Sequence, residues 1–112
     1  MFIVEVTYRT PEDVERFNEA YFSTHVPLVQ QYPGLRSFEV STGAVVADRD
    51  IHLVALLTFA TPEAAKVALE SQEAALSIKN LNSFAAGLYS VISYETVSVL
   101  PPRHDDVERN QK

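Results

Sequence analysis

Val6-Thr7-Tyr8-Arg9-Thr10-Pro11-Glu12 returns later in the chain as Leu57-Thr58-Phe59-Ala60-Thr61-Pro62-Glu63, and this pair of stretches decides the fold. In each, an alternating apolar run ends at Thr-Pro-Glu. Threonine caps a helix N-terminus, proline suits the first helical position, and glutamate suits the positive end of the helix dipole, so each copy marks a strand passing into a helix. Asp13, three residues after Thr10, adds a weak variant of the capping box. A second matched pair follows, Gly34-Leu35-Arg36-Ser37 and Gly87-Leu88-Tyr89-Ser90. Two halves built alike constrain the topology more than any local propensity does.

Working outward, residues 2–8 and 51–59 read as strands, each feeding its Thr-Pro helix start. The first helix carries Val14, Phe17, Tyr21, His25 and Leu28 at spacings of three or four, which puts them on one face that must be buried on a sheet. Pro33-Gly34 stops this helix, and Gly87 does the same after the Ala-rich helical region that runs from Pro62 into the 70s. Further β-type runs span 35–46 and 88–100. The order is β-α-β-β-α-β, the ferredoxin-like α+β arrangement with an antiparallel sheet. Ile3, Val54 and Leu56 point opposite to Val4, Val6, Leu53 and Leu57, so both sheet faces are apolar while two helices cover only one. A second copy laid against the open face completes the burial, which predicts a homodimer with a barrel-like core, a dimeric α+β barrel.

The chain of 112 residues, 46% of them hydrophobic, suits one domain over residues 1–100 with a C-terminal tail over 101–112. That tail holds Arg103, His104, Asp105 and Asp106 without periodicity and reads as flexible or as a strap across the partner. The net charge is −6 and the nine Lys and Arg residues are scattered, so no nucleic acid partner is expected. The absence of cysteine excludes a disulfide framework, a thiolate nucleophile and Cys-based metal sites. The opening run Met1-Phe2-Ile3-Val4-Glu5 resembles neither a signal peptide nor a membrane span, which leaves a cytoplasmic location and no membrane association as the expectation.

Three histidines are candidates for chemistry. His25 lies on the apolar helix face, one turn after Tyr21 and two after Phe17, and just before Pro27. Proline removes a backbone N–H and pushes Val26 away from helical angles, so the helix should kink or restart here and open space beside the imidazole. One reading of His25 is a buried side chain satisfied by a backbone carbonyl; the other is a general acid/base with a pKa near neutrality, with Tyr21 orienting it or donating to an oxyanion. By the repeat register His52 shares a face with Ile3, Glu5 and Val54 and reads as an edge or interface histidine, and His104 reads as solvated. No histidine pair has metal-ligand spacing and no Gly-rich phosphate loop occurs, so neither metal nor cofactor is expected. Phe22, Tyr32, Phe38, Phe84, Tyr89 and Tyr94 are core residues by default, and any on a pocket wall would favour an apolar or aromatic ligand.

Tyr21, the segment His25-Val26-Pro27-Leu28 and the following Pro33-Gly34-Leu35-Arg36 resemble the EthD-like family of the dimeric α+β barrel superfamily, over most of the chain. In that family a later helix usually carries an Asp a few residues before a Phe; here Asn80 precedes Phe84, supplying hydrogen bonds without the charge. The resemblance implies a ligand cleft between sheet and helices, and the wider superfamily includes isomerases, polyketide cyclases, cofactor-free monooxygenases and haem-binding degraders. The preferred expectation is a cofactor-independent lyase, isomerase or cyclase acting on a small, largely apolar carbonyl or phenolic compound. His25 would be the acid/base, Tyr21 its partner, and Phe17, Leu28, Asn80 and Phe84 the substrate contacts. Two other expectations stand beside it: a non-catalytic dimeric binding or accessory protein, and a monooxygenase with or without haem on His25.

Overall fold

A computed structural model of the chain describes residues 1–101; the expected tail, with His104, lies outside the described residues apart from Pro101. The element order is β1 (Phe2–Tyr8), α1 (Val14–Ala20), a π-helical turn (Tyr21–His25), α2 (Val26–Val29), β2 (Ser37–Val40), β3 (Leu53–Phe59), α3 (Pro62–Leu69), α4 (Gln72–Ala85) and β4 (Tyr89–Glu95). The four strands form one antiparallel sheet in the order β2-β3-β1-β4, the ferredoxin-like topology expected from the repeat. β2 and β4 are shorter than the apolar runs that announce them, and the second helical region is two helices that meet at Ser71, whose hydroxyl caps α4 by accepting from the Ala74 N–H at 3.1 Å. Gly34 and Gly87 both sit at positive φ, 73° and 76°, where a residue without Cβ ends each helical layer.

The repeat misleads at one cap. Thr61 caps α3 as expected, accepting from Ala64 N–H at 3.0 Å with Pro62 at the first position. Thr10 does not cap α1: its hydroxyl donates to Asp50 Oδ1 at 2.5 Å and its N–H to Asp50 Oδ2 at 3.2 Å. Asp13 takes the role instead, accepting from Arg16 N–H at 3.0 Å, and α1 starts at Val14. A carboxylate from the β2–β3 connection has taken the threonine hydroxyl, and the nearer aspartate is an equally good cap.

Register fixes which residues meet the helices. Pairing of Val4 with Leu57 and Ser93, and of Val6 with Ala55 and Val91, sets the helix-facing side of the sheet. The core there is Val4, Tyr8, Leu53, Ala55, Leu57 and Phe59, packed under Phe17, Tyr21 and Val29 from the first helical layer and Ala74, Leu81 and Ala85 from α4. On the opposite side Ile3, Val54 and Leu56 are half-buried and Ile92 is exposed, as the alternation requires of a sheet covered once. Beyond β4 the chain runs on with Val97, Val99 and Leu100 exposed.

Candidate functional site: a histidine on the wall of an apolar cavity

Pro27 shapes the first helical layer. It has no N–H to give the Ser23 carbonyl and its ring crowds that oxygen, so the regular ladder cannot continue through this turn. The backbone widens instead: Val26 N–H bonds to Tyr21 O, five residues back, and the Ser23 hydroxyl donates to Glu19 O. The consequence is angular. In a regular α-helix every fourth residue drifts by about 40°, so a side chain twelve positions on would have left the face. The wide turn cancels part of that drift and keeps Phe17, Tyr21, His25 and Val29 buried in one line. Val29 therefore occupies the place expected of Leu28, which is only half-buried and lies off the cavity wall; Val14 is exposed.

Between this line, α4 and the sheet lies a cavity of about 180 Å³. Its wall is largely apolar, with Val4, Val6, Leu57 and Phe38 from the sheet and Leu81 from α4, and among the described residues it has no Asp, Glu, Lys or Arg. The polar groups on it are His25, Ser77 and four tyrosines, Tyr8, Tyr21, Tyr32 and Tyr89. An apolar recess with a few convergent polar groups is the usual form of a small-molecule site.

His25 is 4% exposed, and its Nδ1 is buried without a hydrogen-bond partner. Its ring is tilted against Tyr21 with centroids 5.3 Å apart and meets Phe84 edge-on at 6.2 Å. Asn80 Oδ1 is likewise buried without a partner. Burial lowers the His25 pKa from its ordinary value of 6.5, while the nearby Asn80 side chain and the Ser77 backbone carbonyl act to raise it. The Ser77 carbonyl and the Asn80 side chain are thus both within reach of the ring, while no hydrogen bond is formed at Nδ1. An unmet buried polar atom costs about 1–3 kcal/mol and calls for a reason.

The phenols around it differ in their freedom. Tyr32 Oη is hydrogen-bonded to Ser77 Oγ, which donates onward to Ala74 O at 3.2 Å, and Tyr89 Oη donates to Asn82 Oδ1 at 2.8 Å. Tyr8 and Tyr21 have no such partners among the described residues, although their hydroxyls approach closely enough to influence each other's proton affinity. Burial pushes the Tyr21 phenol up to about 12 and Tyr8 well above its ordinary value, so both are protonated donors at neutral pH.

The structure brings Tyr21 and His25 to the cavity, but not every residue expected beside them. Phe17 stacks on Tyr21 at 5.8 Å and touches Phe84 edge-on at 5.5 Å; both rings pack behind the site and line a separate depression with Arg16 and Leu88. Asn80 stands behind His25 rather than on the wall. Tyr8, Val29 and Ser77 were not singled out. The alternation of β1 puts Tyr8 with Val4 and Val6, so its signal was present, whereas Ser77 on α4 carried none. His52 also moves: β3 begins only at Leu53, and the ring turns toward α1, with Nε2 2.9 Å from Asn18 Oδ1 and its edge 5.5 Å from Phe17. Strand parity does not extend to a residue before the strand starts.

No family model matches the chain. It is 30% identical over 103 residues to an uncharacterized 11.0 kDa protein in the thcB-thcC intergenic region of Rhodococcus erythropolis, covering 90% of this chain and 100% of that one. Among solved structures it is similar to an EthD (ethyl tert-butyl ether D) family protein from Bacillus halodurans, with a TM-score of 0.79 and 29% identity over 87% of this chain and 99% of that one. The same fold recurs in a dimeric protein of ferredoxin-like fold and unknown function from Bacteroides fragilis, with a TM-score of 0.65 and 16% identity over 85% of this chain and 95% of that one. Together with the Tyr21, His25-Val26-Pro27-Leu28 and Pro33-Gly34 signature, these likenesses settle the family. The chain belongs to the EthD-like family of the dimeric α+β barrel superfamily.

Proposed function

We propose that this protein is a cofactor-independent lyase, isomerase or cyclase that moves a proton on a small, largely apolar carbonyl or phenolic compound, with His25 as the acid/base. The observation that carries this reading is a buried imidazole on the wall of an otherwise apolar cavity, with no hydrogen bond formed at its Nδ1. Burial favours the neutral ring, which is the form that accepts a proton. The substrate must already hold a fairly acidic proton, because among the described residues no carboxylate stands behind His25 to strengthen it as a base. The 180 Å³ of space suits one small ring or a short chain.

The working form is a homodimer. Ile3, Val54, Leu56 and Ile92 leave the outer sheet face incompletely covered, and the protein of like fold from Bacteroides fragilis is dimeric. Pairing two such faces buries them without disturbing the cavity, which opens on the other side of the sheet.

Incubating the protein with carbonyl and phenolic compounds of cavity size and following their consumption tests the enzyme reading. Wild-type protein should consume at least one of them, and His25→Ala should abolish turnover while still binding the compound as a dimer. Undiminished turnover in His25→Ala would sink the assignment. A second reading, a dimeric binding or accessory protein, is favoured by Asn80 where the family usually has an acid. Binding of the same compounds with no turnover under any condition would establish it.

A further inference from the structure

The polar groups of the cavity are not equivalent as donors, and counting their protons narrows what can bind. A tyrosine has one O–H to give. Ser77 gives its proton to the Ala74 carbonyl, so it can only accept from Tyr32; the Tyr32 proton is therefore spent inside the protein. The Tyr89 proton is spent on Asn82. Tyr8 and Tyr21 remain, with rings edge-to-face at 5.3 Å and hydroxyls drawn toward each other, so that in the empty cavity one proton is engaged within the pair and can turn to a ligand oxygen, the other is free, and neither has another acceptor among the described residues. They are 2% and 1% exposed, and both line the cavity beside His25.

Resting on the assignment of the cavity as the ligand site, we propose that the Tyr8 and Tyr21 hydroxyls form an uncharged oxyanion site for the enolate or phenolate oxygen of an initially neutral ligand. In the enolate case His25 takes the proton of a C–H next to a carbonyl. The C–H electron pair becomes the C=C bond, and the carbonyl π pair moves onto oxygen, where the two O–H groups meet it. Where the carbonyl is conjugated, the pair extends to a dienolate, and return of the proton at its γ-carbon gives the isomer with no electrons gained or lost. Both phenols are held protonated by burial and so do not compete as bases. Preorganised dipoles in a water-poor recess are effective against charge that develops there.

The same wall rejects ligands that arrive charged. With no Lys or Arg on it among the described residues, a carboxylate would lose its hydration without gaining a counter-ion, and with no Asp or Glu among them an amine would fare no better. The substrate class is then neutral ketones, lactones, quinones or phenols, and acids are excluded.

Three probes of similar shape, nitrobenzene, 4-nitrophenol and 4-nitrobenzoate, separate these claims by titration against the full chain. At a pH where half of the free phenol is ionised, 4-nitrophenol should enter neutral and pass its proton to His25, so that binding increases its visible phenolate band. Its affinity should exceed that of nitrobenzene, and 4-nitrobenzoate should bind at least tenfold more weakly than either. Tyr8→Phe and Tyr21→Phe should each lower 4-nitrophenol affinity about tenfold, equivalent to about 1.4 kcal/mol. Nitrobenzene binding should be unchanged in both, which also shows that each variant keeps its cavity. Capture of the neutral phenol, equal affinity for nitrobenzene and 4-nitrophenol, or no effect of Tyr8→Phe would overturn the oxyanion site while leaving the cavity intact. Exclusion of both nitrobenzene and 4-nitrophenol would overturn the cavity assignment itself. Turnover does not enter this experiment, so catalysis by His25 stands or falls separately.

Discussion

At position 25 the protein holds a buried imidazole with no hydrogen bond formed at Nδ1. Burial lowers the pKa, so the unfolded chain binds a proton more readily than the folded one between the folded value and 6.5. The stability this group contributes is therefore complete above about pH 6.5 and is lost as pH falls toward the folded value. Thermal unfolding followed across that range should show the midpoint dropping with acidification, and the drop should be smaller in His25→Gln, which cannot take up the proton. Asn80 gives a second handle on the same group. Asn80→Asp would put a negative charge behind the ring and favour imidazolium, so the His25 pKa read from its NMR titration should rise by about one unit or more. An unmoved value would mean that position 80 does not govern the histidine. At this scale the sequence was informative about His25 and Tyr21, whose spacing and neighbouring proline are local, and silent about Ser77, whose importance comes from a contact with Tyr32 across forty-five positions.

The element that sets the site is the wide turn Tyr21–His25. A π-turn is one residue more than an α-helix needs, and it is retained here where it aligns Tyr21, His25 and Val29. Removing Ser23 and replacing Pro27 by Ala should yield a continuous α-helix. Such a variant is expected to melt no lower than the wild type by circular dichroism, yet to bind cavity ligands at least tenfold more weakly, because the imidazole is displaced along the helix. Unchanged ligand affinity would show that the turn is incidental. Hydrophobic spacing announced a break here through Pro27 but not its form: residues three and four apart fit a regular helix, and the hydrogen bond from Val26 to Tyr21 leaves no mark in the pattern. That is why Leu28 was expected where Val29 is found. Thr10 shows the reverse failing, a correct local signal overridden by Asp50 from a distant loop.

For the whole molecule, the repeat of Thr-Pro-Glu and the two glycines carried the topology, because each marks a boundary and boundaries in this order leave one antiparallel arrangement. The double-sided apolar alternation of β1 and β3 is what points to a dimer, and the outer face has the partial exposure that this reading needs. Leu56→Glu puts a charge in the middle of that face, and light scattering should then report a monomer where the wild type is a dimer. His25 and the cavity, on the opposite side of the sheet, should keep their ligand affinity if each protomer folds alone.

All three scales converge on one proton. Exchange of the acidic C–H of benzoylacetone with D₂O, followed by NMR, asks whether His25 moves it without requiring the natural substrate. Wild-type protein should accelerate the exchange, and His25→Ala should lose on the order of 10²-fold of that acceleration with its affinity for the diketone intact. Equal acceleration by the two proteins, or none by a wild type that binds the diketone, would contradict the assignment of His25 as the acid/base.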